Sequence, residues 1–165
     1  SCELSGNSDF NSAYLKLYKR ASEIIMSDPK MDKVDSAGMI TMNLMEFSDF
    51  QKSGSAYEVL SNSGKLDLID NKRILYQLQD ISILYNYINR LESNQETLIF
   101  DVVPQISKII SFAPFKVIKP KALYSYEFNN IFQVYIKLGE EKEGLYSEAG
   151  TKLNLLIDAM ENELD

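Results

Sequence analysis

The sequence predicts an all-α fold, an antiparallel helical bundle of five or six helices. Only four Pro and seven Gly among 165 residues leave little room for the many turns of an all-β protein. Apolar residues recur every three or four positions over long stretches, which is typical of one face of a helix. The composition, 45% apolar and 25% charged, is that of a globular chain. We therefore expect a flexible polar tether at 1–8 and a single helical domain at 9–165.

The first helix is expected near 9–27. Ser8 or Asp9 can cap its start, because their side-chain oxygens accept hydrogen bonds from the free amides of the first turn. Pro29 ends it, since proline disfavours a helical conformation at the residue before it, here Asp28. The apolar face consists of Phe10, Tyr14, Leu17, Tyr18, Ala21, Ile24 and Ile25.

Two shorter helices are expected next. One lies near 34–47 and is weakened by Gly38, since glycine is a poor helix former. The other lies near 55–62 and begins at Ser55. Gly64 suits the left-handed position after a helix end.

The longest helix is expected near 70–110, with Asp70 as its cap. Pro104 predicts a kink or a new start within it, because proline lacks the amide that the preceding turn would bond. Its stripe needs a packed partner, which indicates a bundle. This stripe consists of Ile74, Leu78, Ile81, Tyr85, Ile88 and Leu91.

The last helix is expected near 125–163, with a bend or break between Gly139 and Gly144 because each glycine weakens a helix. Before it, residues 113–122 predict an extended or irregular segment. Within that segment, 116–118 could pair briefly at most.

The composition excludes several kinds of chemistry. The net charge of −7 argues against nucleic acid, whose phosphates need Lys and Arg. With no His and a single Cys, Ser–His and Cys–His pairs, two-His metal sites and Cys-rich zinc sites cannot form within the chain. Glu92 and Glu96 share a helix face, and we interpret them as solvated surface. We expect no catalytic residue, metal or cofactor.

The lone Cys2 stands in a polar stretch of Ser, Gly, Asn and Asp. This start resembles that of a mature bacterial lipoprotein, in which the Cys carries the lipid. The other interpretation is an ordinary free Cys near a frayed terminus. The first predicts an extracytoplasmic protein that meets the membrane only through an N-terminal anchor, and the alternative is a cytoplasmic one.

A resemblance to a known family rests on residues 55–75. The pattern Tyr-Glu-x-Leu-x-x-Ser-Gly-x-Leu-x-Leu-Ile, at 57–69, precedes a long helix rich in Leu and Tyr. It resembles a block in a family of membrane-anchored Bacteroidetes proteins that is classed as a domain of unknown function. The similarity covers roughly 45–165 and implies no catalytic or binding residues. We expect the block to form a corner in which Leu66, Leu68 and Ile69 enter the core.

One segment has the composition of an interaction patch. Residues 102–126 contain four Lys and no acid, whereas 139–165 contain eight acids and two Lys. Aromatic side chains beside cations suit an acidic partner surface or an anionic membrane. The other interpretation is a segment that covers the core. The candidate residues are Phe112, Phe115, Lys116, Lys119, Lys121, Tyr124 and Tyr126.

These observations favour a non-enzymatic, extracytoplasmic, membrane-anchored helical domain with a protein-interaction or scaffolding role. The partner is an unknown protein. The alternative is a small-molecule-binding or sensory helical bundle, with a pocket lined by some of the ten Tyr and eight Phe.

Overall fold

A computed structural model of the chain describes residues 2–46 and 56–164. Within them, the fold is all-α, as the sequence predicts, with one two-stranded sheet and 3-10 helices at Asn43–Met45 and Leu66–Leu68. The α-helices are α1 (Cys2–Ser27), α2 (Val34–Met42), α3 (Ala56–Asn62), α4 (Lys72–Ser107), α5 (Pro120–Leu123) and α6 (Tyr126–Leu164). The strands are β1 (Ile110–Phe112) and β2 (Phe115–Val117).

The three long helices form the bundle, and α6 packs extensively against both α1 and α4. It runs antiparallel to each of them. Near the end of α6, Leu156 packs with Ile74 of α4, and near its start Phe128 joins the cluster that contains Ile106. Along α1, Asn11 donates a 2.9 Å hydrogen bond to the carbonyl of Gly139.

A heptad seam on α6 lines the core. Its positions repeat every seven residues, and all of them are buried: Phe128, Tyr135, Lys142, Ala149 and Leu156. A seven-residue repeat is the signature of helices that pack along a continuous stripe. The largest apolar cluster lies at the hairpin end of the bundle, where α2, β1, β2 and α5 close over α1, α4 and α6.

The structure corrects the prediction of a flexible tether at 1–8, because α1 already begins at Cys2. Leu4 is buried and packs in a cluster with Ile88 of α4 and Tyr146 of α6. The apolar pattern of the sequence did not indicate this extension, because the buried face of α1 includes a polar residue, Asn11. Its side chain is buried and hydrogen-bonded to α6. A polar side chain can lie in a helix interface when it is hydrogen-bonded there.

The cap of α4 is Asn71, and the prediction of Asp70 is wrong. The side chain of Asn71 accepts hydrogen bonds from the amides of Arg73, at 3.0 Å, and Ile74, at 3.4 Å. A capping side chain accepts hydrogen bonds from the amides two and three residues after it. Because α4 begins at Lys72, the residue in the capping position is Asn71 and not Asp70. Asn71 also donates to Glu163, which ties the start of α4 to the end of α6.

The corner between α3 and α4 matches its prediction in part. Gly64 has a φ of +68°, the left-handed conformation expected of it. Ile69 is partly buried against the core, but Leu68 is 76% exposed and does not enter it. The proposed start at Ser55 and the proposed end of the second helix at Phe47 lie outside the described residues.

The last helix is continuous from Tyr126 to Leu164, so no break occurs between Gly139 and Gly144, where a bend or break was predicted. Gly139 lies against α1, where an added Cβ would stand 3.3 Å from Leu15. Close approach of two helices requires a small residue, and the contact energy offsets the poor helix propensity of glycine.

The segment predicted to be irregular folds into a β-hairpin and the short helix α5. β1 and β2 are antiparallel, with Ile110 opposite Val117 and Phe112 opposite Phe115. The longest predicted helix also ends earlier than expected, since α4 continues through Pro104 and stops at Ser107. The residues that follow Ser107 form the first strand of the hairpin instead. The hairpin covers the end of the core with Ile110 and Val117.

Glycine substitutions separate helix propensity from packing. A Cβ at Gly38 would stand 2.5 Å from Cγ2 of Val117, which is a buried and stiff side chain. We expect Gly38→Ala to lower the free energy of unfolding, because overpacking costs about 1–3 kcal/mol and outweighs the gain of up to ~1 kcal/mol in propensity. Urea unfolding followed by circular dichroism measures the change.

Gly144 provides the matched control, since nothing lies within 4 Å of an added Cβ there. Gly144→Ala is expected to raise the stability by up to ~1 kcal/mol. Equal effects of the two variants would contradict the packing of α2 against β2.

Candidate functional site

The sequence-predicted interaction patch lies at the hairpin end of the bundle, and its aromatic residues divide into two groups. Phe112 and Tyr126 are 43% and 70% exposed. Phe115 and Tyr124 are partly buried and pack against the main core. The isolated domain therefore presents two aromatic side chains to solvent, and the other two cover the core.

The pleat of the hairpin determines which side chains are exposed. Successive residues of a strand face opposite sides, so Ile110 and Val117 point into the core while Ser111 and its partner Lys116 point away from it. Phe112 lies at the tip of the hairpin, on the same side as Ile110 but beyond the core. After β2, Lys119 and Lys121 are exposed around α5.

Tyr124 fastens the patch to the turn after α1. Its hydroxyl donates a 3.0 Å hydrogen bond to a carboxylate oxygen of Asp28. Burial and this bond raise the pKa of Tyr124 to about 12. The pKa of Asp28 is lowered, chiefly by the hydrogen bond from the amide of Lys33. The Asp28 carboxylate therefore accepts hydrogen bonds from the backbone of its own turn and from Tyr124.

The surface that remains combines exposed apolar and cationic side chains. Sequence reasoning missed Ile118, which is 54% exposed and directly follows β2. The alternation of the brief pairing that was considered for 116–118 could have indicated it, since Ile118 then faces the same side as Lys116. We call these residues the basic hairpin surface: Phe112, Lys116, Ile118, Lys119, Lys121 and Tyr126.

Glu92 is not the solvated surface residue that the sequence predicted. It is 5% exposed and lies between α4 and α6, whereas Glu96, one turn later, is exposed. The ammonium of Lys142 lies 3.7 Å from the Glu92 carboxylate and donates a 2.9 Å hydrogen bond to the amide oxygen of Gln95. Tyr146 donates to the same carboxylate of Glu92.

This polar cluster fits a structural role. Lys142 is 2% exposed, and its burial lowers the pKa of its ammonium, while the Glu92 carboxylate acts in the opposite direction. A buried charge needs a partner, since its uncompensated desolvation costs several kcal/mol. Sequence reasoning missed Lys142, which stands in an acidic stretch. The signal that could have found it is its position in the heptad repeat of α6, seven residues from both Tyr135 and Ala149.

Substituting one member of the cluster is expected to be costly. Lys142→Ala leaves the Glu92 carboxylate buried without its cation, which should cost about 3–5 kcal/mol. The triple variant Glu92→Leu, Lys142→Met, Tyr146→Phe removes both charges and the phenol together and leaves only the neutral amide of Gln95, so its stability should be closer to that of the wild type than that of Lys142→Ala. Urea unfolding at neutral pH tests both.

Two results would contradict this role of the cluster. One is a Lys142→Ala variant as stable as the wild type, and the other is a triple variant as unstable as the single one.

Among the described residues, no group of three or more His, Cys, Asp and Glu side chains is placed to hold a metal ion. None of the helices within 2–46 and 56–164 combines the length and the apolar content that crossing a bilayer requires. Cys2 is the first residue of α1. Comparison with protein-family models, with curated proteins and with solved structures found no match for this chain.

Proposed function

We propose that this protein is a non-enzymatic helical domain that binds another protein through the basic hairpin surface. The observation that carries the proposal is the exposure of Phe112 and Tyr126 in a segment with four Lys and no acid. Aromatic residues are enriched in the centres of protein interfaces, and a cationic rim attracts an acidic partner. The partner surface is therefore acidic, with apolar positions that receive the two aromatic rings.

A second candidate is the small-molecule-binding bundle, which is supported by a groove of about 730 Å³ between α4 and α6. Its lining contains both apolar and charged side chains. Sites for small molecules usually enclose most of the ligand surface. This groove extends along α4 from Asp80 to Arg90, about 15 Å, and a surface groove of that shape suits a macromolecule better.

Photocrosslinking in cells that express the native gene tests the hairpin surface. Benzoylphenylalanine at position 112 or 126 should give an adduct with another protein. The same residue at position 100 should give none, because Phe100 is 71% exposed but lies on α4, about two turns before the helix ends at Ser107, and is not part of the basic hairpin surface. The triple variant Lys116→Glu, Lys119→Glu, Lys121→Glu should lose the adduct, since it reverses the attraction to an acidic partner.

Three outcomes would argue against the proposal. The first is an equal adduct from position 100, and the second is an adduct that survives the charge reversal. The third is a product that contains lipid, which would assign the surface to an anionic membrane.

The proposal includes location: the domain acts outside the cytoplasm, attached to a membrane near Cys2. The support is the sequence pattern around Cys2 and the resemblance of the 57–69 block to membrane-anchored proteins. Fractionation of cells that express the native gene should find the protein with membranes, and Cys2→Ser should release it. Recovery of the native protein in the soluble cytoplasm would overturn this part of the proposal.

A further inference from the structure

The groove between α4 and α6 lies on a face of the bundle that α1 leaves uncovered. On α6, α1 contacts Gly139 and Glu143, through Asn11 and through a 2.5 Å hydrogen bond from Ser12. The groove is lined by Leu145, Glu148 and Lys152 of the same helix. Glu143 and Leu145 are two residues apart, which is about 200° around a helix.

Six residues of α4 line the groove, and four of them follow one face of the helix at steps of three, four and three: Asp80, Ile83, Tyr87 and Arg90. Ile83 is 60% exposed although it lies in the middle of α4. The guanidinium of Arg90 lies 4.7 Å from the centre of the Tyr87 ring. Within 2–46 and 56–164, no carboxylate forms an ion pair with Arg90.

We propose that this face is the interface of a homodimer. Two copies pack with α4 against α4 and α6 against α6, each pair antiparallel. Since α4 and α6 are themselves antiparallel, every neighbouring pair of the resulting four helices is antiparallel, as in an up-down four-helix bundle. A two-fold axis at right angles to the helices relates the copies.

The spacing of the α4 residues is self-complementary about such an axis. Asp80 precedes Ile83 by three residues, and Tyr87 precedes Arg90 by three residues. Two antiparallel copies that cross at residue 85 therefore place Asp80 opposite Arg90 of the partner subunit, and Ile83 opposite Tyr87 of the partner subunit. The Arg90 guanidinium, which within its own chain contacts the Tyr87 ring, thus receives a carboxylate as well, and the exposed aliphatic side chain receives an aromatic ring.

The α6 residues show the same complementarity about residue 150. Glu148 stands opposite Lys152 of the partner subunit, and Leu145 opposite Leu155 of the partner subunit. Leu155 is 49% exposed and lines a smaller cavity farther along α6. Both helices therefore carry one charged and one apolar pair, two and five residues from their centres. The apolar pair is the inner one on α4, and the charged pair is the inner one on α6.

The two centres lie at the same height in the bundle, which is what a single two-fold axis requires. Asp80 reaches Lys152 at 3.5 Å, and Glu92 accepts a hydrogen bond from Tyr146. Residue 85 of α4 lies between these two contacts, so its level on α6 falls between 146 and 152. The centre at residue 150 lies within this interval.

Apolar burial supplies the stabilisation, because exposed ion pairs contribute little to the free energy of association. The charged pairs fix the register, since a shifted dimer would bring like charges together. Tyr76, which is 63% exposed and lies seven residues before Ile83 on the same face, extends the apolar stripe. The basic hairpin surface lies more than about 20 Å farther along α4, so the dimer leaves it free.

Sedimentation equilibrium of the full chain tests the dimer. The wild type is expected to show twice the mass of one chain, and Ile83→Asp is expected to be a monomer with an unchanged circular dichroism spectrum. The matched control is Phe100→Asp, which places the same charge on an exposed apolar position of α4 outside the groove and should remain dimeric. A monomeric wild type at millimolar concentration, or a dimer that persists in Ile83→Asp, overturns the proposal.

A charge exchange tests the pairing itself. Asp80→Arg places two cations opposite each other, and Arg90→Asp places two carboxylates opposite each other, so each variant alone should dimerise at least about tenfold more weakly than the wild type. Mixing the two restores an opposite charge at both positions of a mixed dimer. Mixed dimers stronger than either variant alone are expected, and their absence overturns the proposed register.

These experiments are independent of the proposed function. Loss of the dimer in Ile83→Asp should leave the crosslinks from positions 112 and 126 intact. Conversely, charge reversal at Lys116, Lys119 and Lys121 should leave the mass of the dimer unchanged.

Discussion

The buried ion pair between α4 and α6 is the constraint on which the rest of the structure depends. Lys142 occupies the middle of the heptad seam of α6, with apolar seam positions on both sides. Apolar contacts alone would tolerate a slide of one helix along the other by a turn. A slide would separate Lys142 from Glu92 and leave both charges buried without compensation, which costs several kcal/mol. The cluster thereby fixes the register of the two longest helices.

The register of α1 on α6 is fixed by a different device. Gly139 allows α1 to approach closely, and Asn11 bonds the backbone carbonyl of that same glycine. The small residue and the amide act together, because the hydrogen bond forms only when the helices are close enough. Leu4 then reaches the second apolar cluster, so that α1 remains in contact with α6 along its whole described length.

The charge asymmetry of the sequence becomes a separation along the bundle. The Lys-rich segment folds into the hairpin end, and the acid-rich segment forms the second half of α6, which extends past the start of α1 toward the other end. The two surfaces therefore differ in charge as well as in shape. One is a small basic cap with exposed aromatic rings, and the other is a long two-helix face with matched charges.

Local signals in the sequence determined the fold class and several boundaries. Pro29 marked the end of α1, Gly64 the left-handed residue after α3, and the start of α6, predicted near 125, lies at Tyr126. Such signals are local because they depend on the backbone conformation of one residue or its neighbour. The candidate aromatic residues of the hairpin were also identifiable, although composition could not separate exposed Tyr126 from partly buried Tyr124.

Only the tertiary structure decided the remaining features, because each depends on a neighbour distant in the chain. Glu92 is a solvated acid on an isolated helix and becomes a buried one only when Lys142 and Tyr146 arrive from α6. Gly139 weakens a helix until α1 packs against it. The apolar pattern of a helix shows that one face is buried, but not which helix packs against it. The contribution of a polar or small residue on that face to stability depends on the side chains and backbone of the helix that packs there.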